Sequence, residues 1–318
     1  MSITERIDNI TKIPEAYRVP KPPCPRSVKI ELTARCNFAC SFCARSHRLR
    51  DQRDMDKVLY ERLLLELKDI GVEEIGLFYL GESLLCEWLP WAVYYAKQIA
   101  GFDYTFLTTN GSLADKGKVQ ALIWSGLDSL KWSLNYSDET QFSEIAGVKP
   151  ALYKAMRRNI EDARDIRDKH ERETHHHCGL YASYIIYDDA QREKMMQTVE
   201  EVRPYVDEIY ELPLYNQAGL VTKEEQDRGM VPTAGNQGRV GAMREPLPCW
   251  ACFTEGHITY DGQLSACCFD HDGRFHMGDL TKQCFMDAWQ SQGFADLRSA
   301  HLKRDVTTTV CEGCIAYA

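Results

Sequence analysis

From residue 27 onward, short runs of β-branched and aromatic residues alternate with longer segments whose apolar positions recur at helical spacing. The strand candidates are 27–32, 74–79, 103–108, 129–134, 179–187 and 208–214. Between them the period predicts helices at 56–70, 88–99, 115–124, 151–169 and 189–202. Several open on an aspartate, whose carboxylate can cap the first turn, and Gly71 and Gly126 fall where helices should stop. Such alternation predicts an α/β fold of βα units around a parallel sheet. Six units are too few for a closed eight-stranded barrel, so a partial barrel, open on one side, is expected. Ligands in such sheets bind at the carboxyl ends of the strands.

After the sixth unit the period is lost in a stretch rich in Gly, Gln, Asn and charge, read as a linker or lid over 221–245. The order is thus an N-terminal arm (1–26), the partial barrel (27–220), the linker, and a small cysteine-rich unit (246–318). In that last unit 257–260, Asp261-Gly262 and 263–266 read as a hairpin, because Asp-Gly suits a tight type I′ turn. A helix is expected at 284–302. The run His175-His176-His177 is read as a solvated loop, since adjacent histidines point in different directions.

Composition narrows the function classes. The 318 residues are 44% hydrophobic and 27% charged, as in an ordinary globular chain with a packed core. Thirty-eight basic against 47 acidic residues give a net charge of −9, whose field repels nucleic-acid backbones. No run approaches the ~20 apolar residues that cross a bilayer, and the N-terminus carries no secretory pattern, so a cytoplasmic protein without a membrane partner is expected. Thirteen cysteines in such a chain read as thiolates for metal rather than as a disulfide framework.

The cysteines fall in two groups. Cys36, Cys40 and Cys43 are spaced Cx3Cx2C in the loop after the first strand candidate, the functional end of the sheet. Three thiolates suit an iron–sulfur cluster, whereas a structural zinc site wants four closed ligands; the competing reading is a zinc site completed by His47. With Phe42 before the last cysteine, this motif resembles that of the radical S-adenosylmethionine (radical SAM) enzymes. The resemblance implies a [4Fe–4S] cluster with one iron open to SAM, whose reductive cleavage gives a 5′-deoxyadenosyl radical that takes hydrogen from substrate. It extends to the strand ends that follow. Leu80-Gly81-Glu82-Ser83 resembles the family's GGEP segment, with Leu80 and Ser83 departing from it, and implies that Gly81, Glu82 and Ser83 receive the methionine part of SAM. Asn110 stands in a segment similar to the family's TNG turn. Ser133 matches a polar position at the fourth strand end, and Phe42 is placed near the adenine.

In the second group Cys249-x12-Gly262-x4-Cys267 is followed by Cys311-x2-Cys314. This resembles the SPASM/Twitch extension of radical SAM enzymes, in the shorter Twitch form, and implies one auxiliary [4Fe–4S] cluster on Cys249, Cys267, Cys311 and Cys314. Cys252 could replace Cys249 and Cys268 could replace Cys267. A zinc ribbon is the competing reading of the paired cysteines.

Cys252, Cys268 and Cys284 remain as spare thiols. A thiol can return a hydrogen atom to a carbon radical from the face opposite abstraction, which makes an epimerase; Cys252 and Cys268, beside the cluster ligands, are the candidate donors. The alternatives are radical dehydrogenation of an alcohol with the auxiliary cluster accepting an electron, modification of a short peptide, and a cluster carrier with no turnover. The motif begins at residue 36, leaving little room ahead of it for a leader-binding domain, so a small polar metabolite of sugar, aminoglycoside or aminocyclitol type is expected as substrate. Tyr184, Tyr187, Glu211, Tyr215, Asn216, Gln217, Asp270, His271 and Asp272 are placed to reach it. A flavodoxin or ferredoxin is the expected electron donor.

Overall fold

The computed structural model describes residues 2–220, 232–233 and 235–314. Six parallel strands form as the apolar pattern predicts: β1 (Ser27–Ile30), β2 (Glu74–Gly76), β3 (Tyr104–Thr109), β4 (Ser129–Ser133), β5 (Gly179–Tyr184) and β6 (Glu208–Glu211). Three further strands, β7 (Glu255–Ile258), β8 (Gln263–Ser265) and β9 (His276–Asp279), complete one nine-stranded sheet of order β6-β5-β4-β3-β2-β1-β7-β8-β9.

The cysteine-rich unit therefore continues the barrel sheet. β7 pairs parallel to β1, Val28 opposite Gly256, and β8 alone runs against the others, pairing antiparallel with β7 on one side and β9 on the other. The predicted hairpin is present as β7 and β8, and Gly262 takes φ +80 in its turn, a conformation that excludes most side chains. β9 escaped the sequence reading because His276–Asp279 lacks the apolar alternation of a buried strand.

The helices are α1 (Ile3–Thr11), α2 (Lys57–Asp69), α3 (Leu89–Tyr94), α4 (Lys116–Trp124), α5 (Glu139–Ala146), α6 (Ala151–Thr174), α7 (Asp189–Val202), α8 (Phe285–Trp289) and α9 (Gln292–Lys303). Asp56, Asp115 and Asp188 cap α2, α4 and α7 by accepting a backbone N–H. The helix expected over 88–99 passes from α3 into a π-helical turn, Tyr95–Ile99. That expected over 284–302 is broken between α8 and α9, where Ser291 caps a new first turn.

Two helices were missed. The arm contains α1, a capping-box helix that packs Ile3 on Tyr181 and Tyr210 and sets Arg6 over the Phe106 ring at 3.8 Å. Ile3, Arg6, Ile7 and Ile10 of this helix line a cavity inside the barrel. α5 stands between Asp138, its cap, and Gly147 at φ +66. The histidine run is more tied down than a solvated loop: His176 meets His170 at 3.2 Å and Asp128 at 3.4 Å, and His177 meets Glu171 at 3.0 Å.

Strand alternation sorts the sheet. On β4, Leu130 and Trp132 are fully buried against the helices, while Ser129 and Lys131 face a cavity inside the barrel. The expected linker, 221–245, lies partly outside the described residues. Of its described part, Thr233 bridges to Tyr215 and Arg239 pairs with Asp8 of α1 at 2.9 Å. No helix among the described residues is long and apolar enough to cross a membrane.

Candidate active site

The loop after β1 carries Cys36, Cys40 and Cys43 and is fastened on three sides. Ala39 and Ser41 donate their N–H groups to Ala146 and Ile145 at the end of α5, at 2.9 and 2.8 Å. Arg48 donates to Ala34 O and, at 2.6 Å, to Leu80 O, joining this loop to the one after β2. Arg50 holds Glu31 with two hydrogen bonds of 2.8 and 2.9 Å and reaches Asp270 O at 3.2 Å. The thiols are half-buried by these walls, and burial raises all three, Cys40 to about 12, with Tyr136 OH at 3.2 Å from its Sγ. Thiols pushed up in this way become thiolates only beside strong positive charge, which irons supply. Close behind, His271 is fully buried with Nε2 at 3.9 Å from Cys43 Sγ.

The strand-end residues expected to meet SAM cluster beside this loop. A Cβ on Gly81 would collide with Thr33 O and stand 2.8 Å from Arg35 O, so only glycine lets this segment lie against the cysteine loop. Glu82 N donates to Arg35 O at 2.8 Å. The Glu82 carboxylate is buried and accepts from Thr109 Oγ1, Asn110 N and Leu84 N at 2.8, 2.8 and 3.1 Å; burial raises its pKa. Its side chain is thereby used in tying the second strand end to the third. Ser83 Oγ is likewise turned away, donating to Leu77 O at 2.7 Å. Asn110 Nδ2 donates to Asn37 Oδ1 at 2.9 Å, which joins the third strand end to the cysteine loop.

A polar cradle lies further round. Ser133 is half-buried and pairs in register with Ser183 on β5. Asn135 Oδ1, Ser183 Oγ and Tyr187 OH are buried and find no partner among the described residues. Phe42 stands 6.1 Å from the Tyr187 ring. Unpaired polar atoms beside an aromatic pair at strand ends fit a polar nucleoside, so the residues present suit SAM.

The second cysteine group surrounds a separate cavity. Cys249, Cys252, Cys267, Cys311 and Cys314 all line it, with the apolar faces of Phe269 and Phe275. The Cys268 thiol lies beside that of Cys267, and its Sγ accepts from Asn236 Nδ2 at 3.0 Å. Asn236 also lines the barrel cavity, so it stands between the two spaces. Cys252 Sγ is directed at Ala266 O, 3.6 Å away. Burial pushes Cys311 up to about 12 and raises Cys249 and Cys252 further. Among the described residues no three His, Cys, Asp or Glu side chains close on one point as a single metal ion needs; the thiols surround a void, which suits a cluster of several irons.

Sequence reasoning missed His301. Its Nδ1 accepts from Cys249 N at 3.2 Å, which leaves the proton on Nε2, 3.3 Å from Cys311 Sγ and 3.9 Å from Cys252 Sγ. Burial lowers its pKa to about 4, so the ring is neutral. No motif marks it; only the turn of α9 brings it to the thiols. Tyr136, which no motif marks, also escaped, while His271, expected at the substrate, stands instead beside Cys43. Cys284 is exposed at the head of α8 and lines neither cavity. Asp270 is buried and accepts from Ser265 Oγ at 2.8 Å, whereas Tyr215 lines the barrel cavity with its OH donating to Gly238 O.

Thiols on the first strand-end loop of a parallel partial barrel, with a second thiol-lined cavity beyond, define an iron–sulfur protein built on a barrel. The chain belongs to the radical SAM superfamily, which residues 30–209 match; residues 249–315 match the SPASM iron–sulfur cluster-binding domain. The family brings SAM and a [4Fe–4S] cluster to this chain, and the SPASM domain brings further iron–sulfur binding. GTP 3′,8-cyclase of Chlorobaculum tepidum is 35% identical over 118 residues, 37% of this chain and 35% of that protein. PqqA peptide cyclase of Xanthomonas euvesicatoria pv. vesicatoria is 32% identical over 133 residues, 42% of this chain and 35% of that one. The matches thus span about a third of these curated relatives. Among solved structures, BtrN in complex with AdoMet and 2-DOIA superposes with a TM-score of 0.60 at 18% identity, covering 91% of this chain and 92% of that one. Streptococcus suis SuiB bound to precursor peptide SuiA superposes with a TM-score of 0.64 at 17% identity, covering 95% and 71%. At such identities the likeness is one of fold.

Proposed function

We propose that this protein cleaves SAM reductively and abstracts a hydrogen atom from a polar small molecule held inside the barrel, then epimerises that carbon by returning a hydrogen from Cys268. Cys36, Cys40 and Cys43 would hold the first cluster, and Cys249, Cys267, Cys311 and Cys314 the auxiliary one. When bound, the first cluster supplies the electron that splits SAM and the auxiliary cluster the electron that restores the donor thiol.

The chain's own residues bind, orient and exclude water. Gly81 and Asn110 bring two strand ends against the cysteine loop, and the Ser133, Ser183 and Asn135 region offers polar contacts to SAM beside Phe42. Glu82 and Ser83 act through the backbone they fix. The observation that carries the epimerase reading is the place of Cys268: its thiol is held by Asn236, whose side chain faces both the barrel cavity and the thiol-lined one. Cys252, directed at Ala266 O within the thiol-lined cavity, is the poorer donor.

The test is turnover in D2O with anaerobically reconstituted enzyme and a panel of sugars and sugar derivatives. Epimerisation by an exchangeable thiol puts one deuterium on the product carbon, and Cys268→Ser forms 5′-deoxyadenosine without that product. A product lacking two hydrogens overturns the epimerase reading in favour of dehydrogenation.

A further inference from the structure

The cavity inside the barrel is lined by three basic side chains, Arg6, Lys29 and Lys131, and by one carboxylate, Glu255. Two of the three cations are spoken for. Arg6 holds Glu74 through two hydrogen bonds of 3.0 and 2.6 Å. Lys29 is 2.8 Å from Glu255, whose same oxygen meets His257 Nε2 at 2.8 Å. Lys131 has no ion pair or hydrogen bond among the described residues; its Nζ stands 5.9 Å from the Tyr210 ring centre.

This amine is placed by the fold. Leu130 and Trp132 beside it on β4 are fully buried on the opposite face, which commits Lys131 to the cavity. Register sets it between Thr108 of β3 and Tyr181 of β5. Burial and the neighbouring Lys29 and Arg6 lower its pKa to about 7. Such an amine gains charge when a negative group arrives, and its neighbours repel a cationic one.

We propose that Lys131 anchors a carboxylate carried by the substrate into the barrel. One unpaired positive charge balances one negative charge, which favours a carboxylate over a phosphate dianion. The assignment rests on the reading of this cavity as the substrate site, and it turns that reading toward acidic metabolites, such as sugar acids or amino acids, and away from aminoglycosides.

Acetate is the probe. The reconstituted full chain is titrated with sodium acetate at ionic strength fixed by chloride, and the thermal midpoint is followed in wild type, Lys131→Gln and Lys131→Arg. Acetate is expected to raise the midpoint of wild type and Lys131→Arg and to leave Lys131→Gln unmoved, with no effect of tetramethylammonium on any of them. NMR of 13C-methylated lysines reads the wild type directly: acetate should raise the low pKa of the resonance missing from Lys131→Arg. An equal acetate response in Lys131→Gln, a resonance indifferent to acetate, or a response to inorganic phosphate alone overturns the proposal. Binding needs no turnover, so 5′-deoxyadenosine formation by the same wild-type sample separates failure of this anchor from failure of the proposed function.

Discussion

The Cys249 backbone N–H donates to His301 Nδ1 at 3.2 Å and so turns the opposite nitrogen of that buried ring toward Cys311 Sγ. One histidine thereby joins both ends of the second cysteine group, 249 and 311. His301→Ala leaves a buried N–H unpaired, a cost of about 1–3 kcal/mol. Iron held by the C-terminal unit should fall, with lower thermal stability, while SAM cleavage by the first group survives. Iron and sulfide analysis alongside 5′-deoxyadenosine formation checks this.

Cys36→Ala should abolish 5′-deoxyadenosine formation and leave the C-terminal unit loaded. Iron per chain should drop from about eight to about four, as expected for two [4Fe–4S] clusters of which one is lost. About four irons with one zinc in the wild type would instead mark the second group as a structural ribbon.

Gly81→Ala forces a methyl into the carbonyls of Thr33 and Arg35. Overpacking of this kind costs about 1–3 kcal/mol, and here the strain falls on the loop that carries Cys36. The variant should lose SAM cleavage far beyond its loss of urea stability. Gly293→Ala, with open space around the added atom, serves as the control and should match wild type in SAM cleavage.

Lys131 makes stability depend on pH in a definite direction. Its pKa is lowered by burial from 10.5 to about 7, so between those values the unfolded chain binds the extra proton and stability rises with pH. Lys131→Met should flatten that slope, and below pH 7 it should be more stable than wild type. Urea midpoints from pH 7 to 9 in both proteins decide it; parallel curves would contradict the half-buried, unpaired amine.

The chain's own text determined the six parallel strands, the hairpin, and the two cysteine groups. Each of these is a local matter: strand period, turn chemistry and covalent spacing act over a few residues. Cys36, Cys40 and Cys43 share one loop by spacing alone, so their common site was legible before any fold was known. What lay beyond reach was every partnership across long separation. Val28 beside Gly256 makes the cysteine-rich unit an extension of the barrel sheet, and nothing near either residue announces it. The hydrogen bond from Asn236 to Cys268 joins residues 32 apart in the chain, and no local pattern announces it. His301 reaches the thiols through the packing of α9, and Lys131 is left unpaired because Glu255 and Glu74 are taken by other cations. Local sequence set which groups the chain carries; burial and long-range pairing decided which of them face one another.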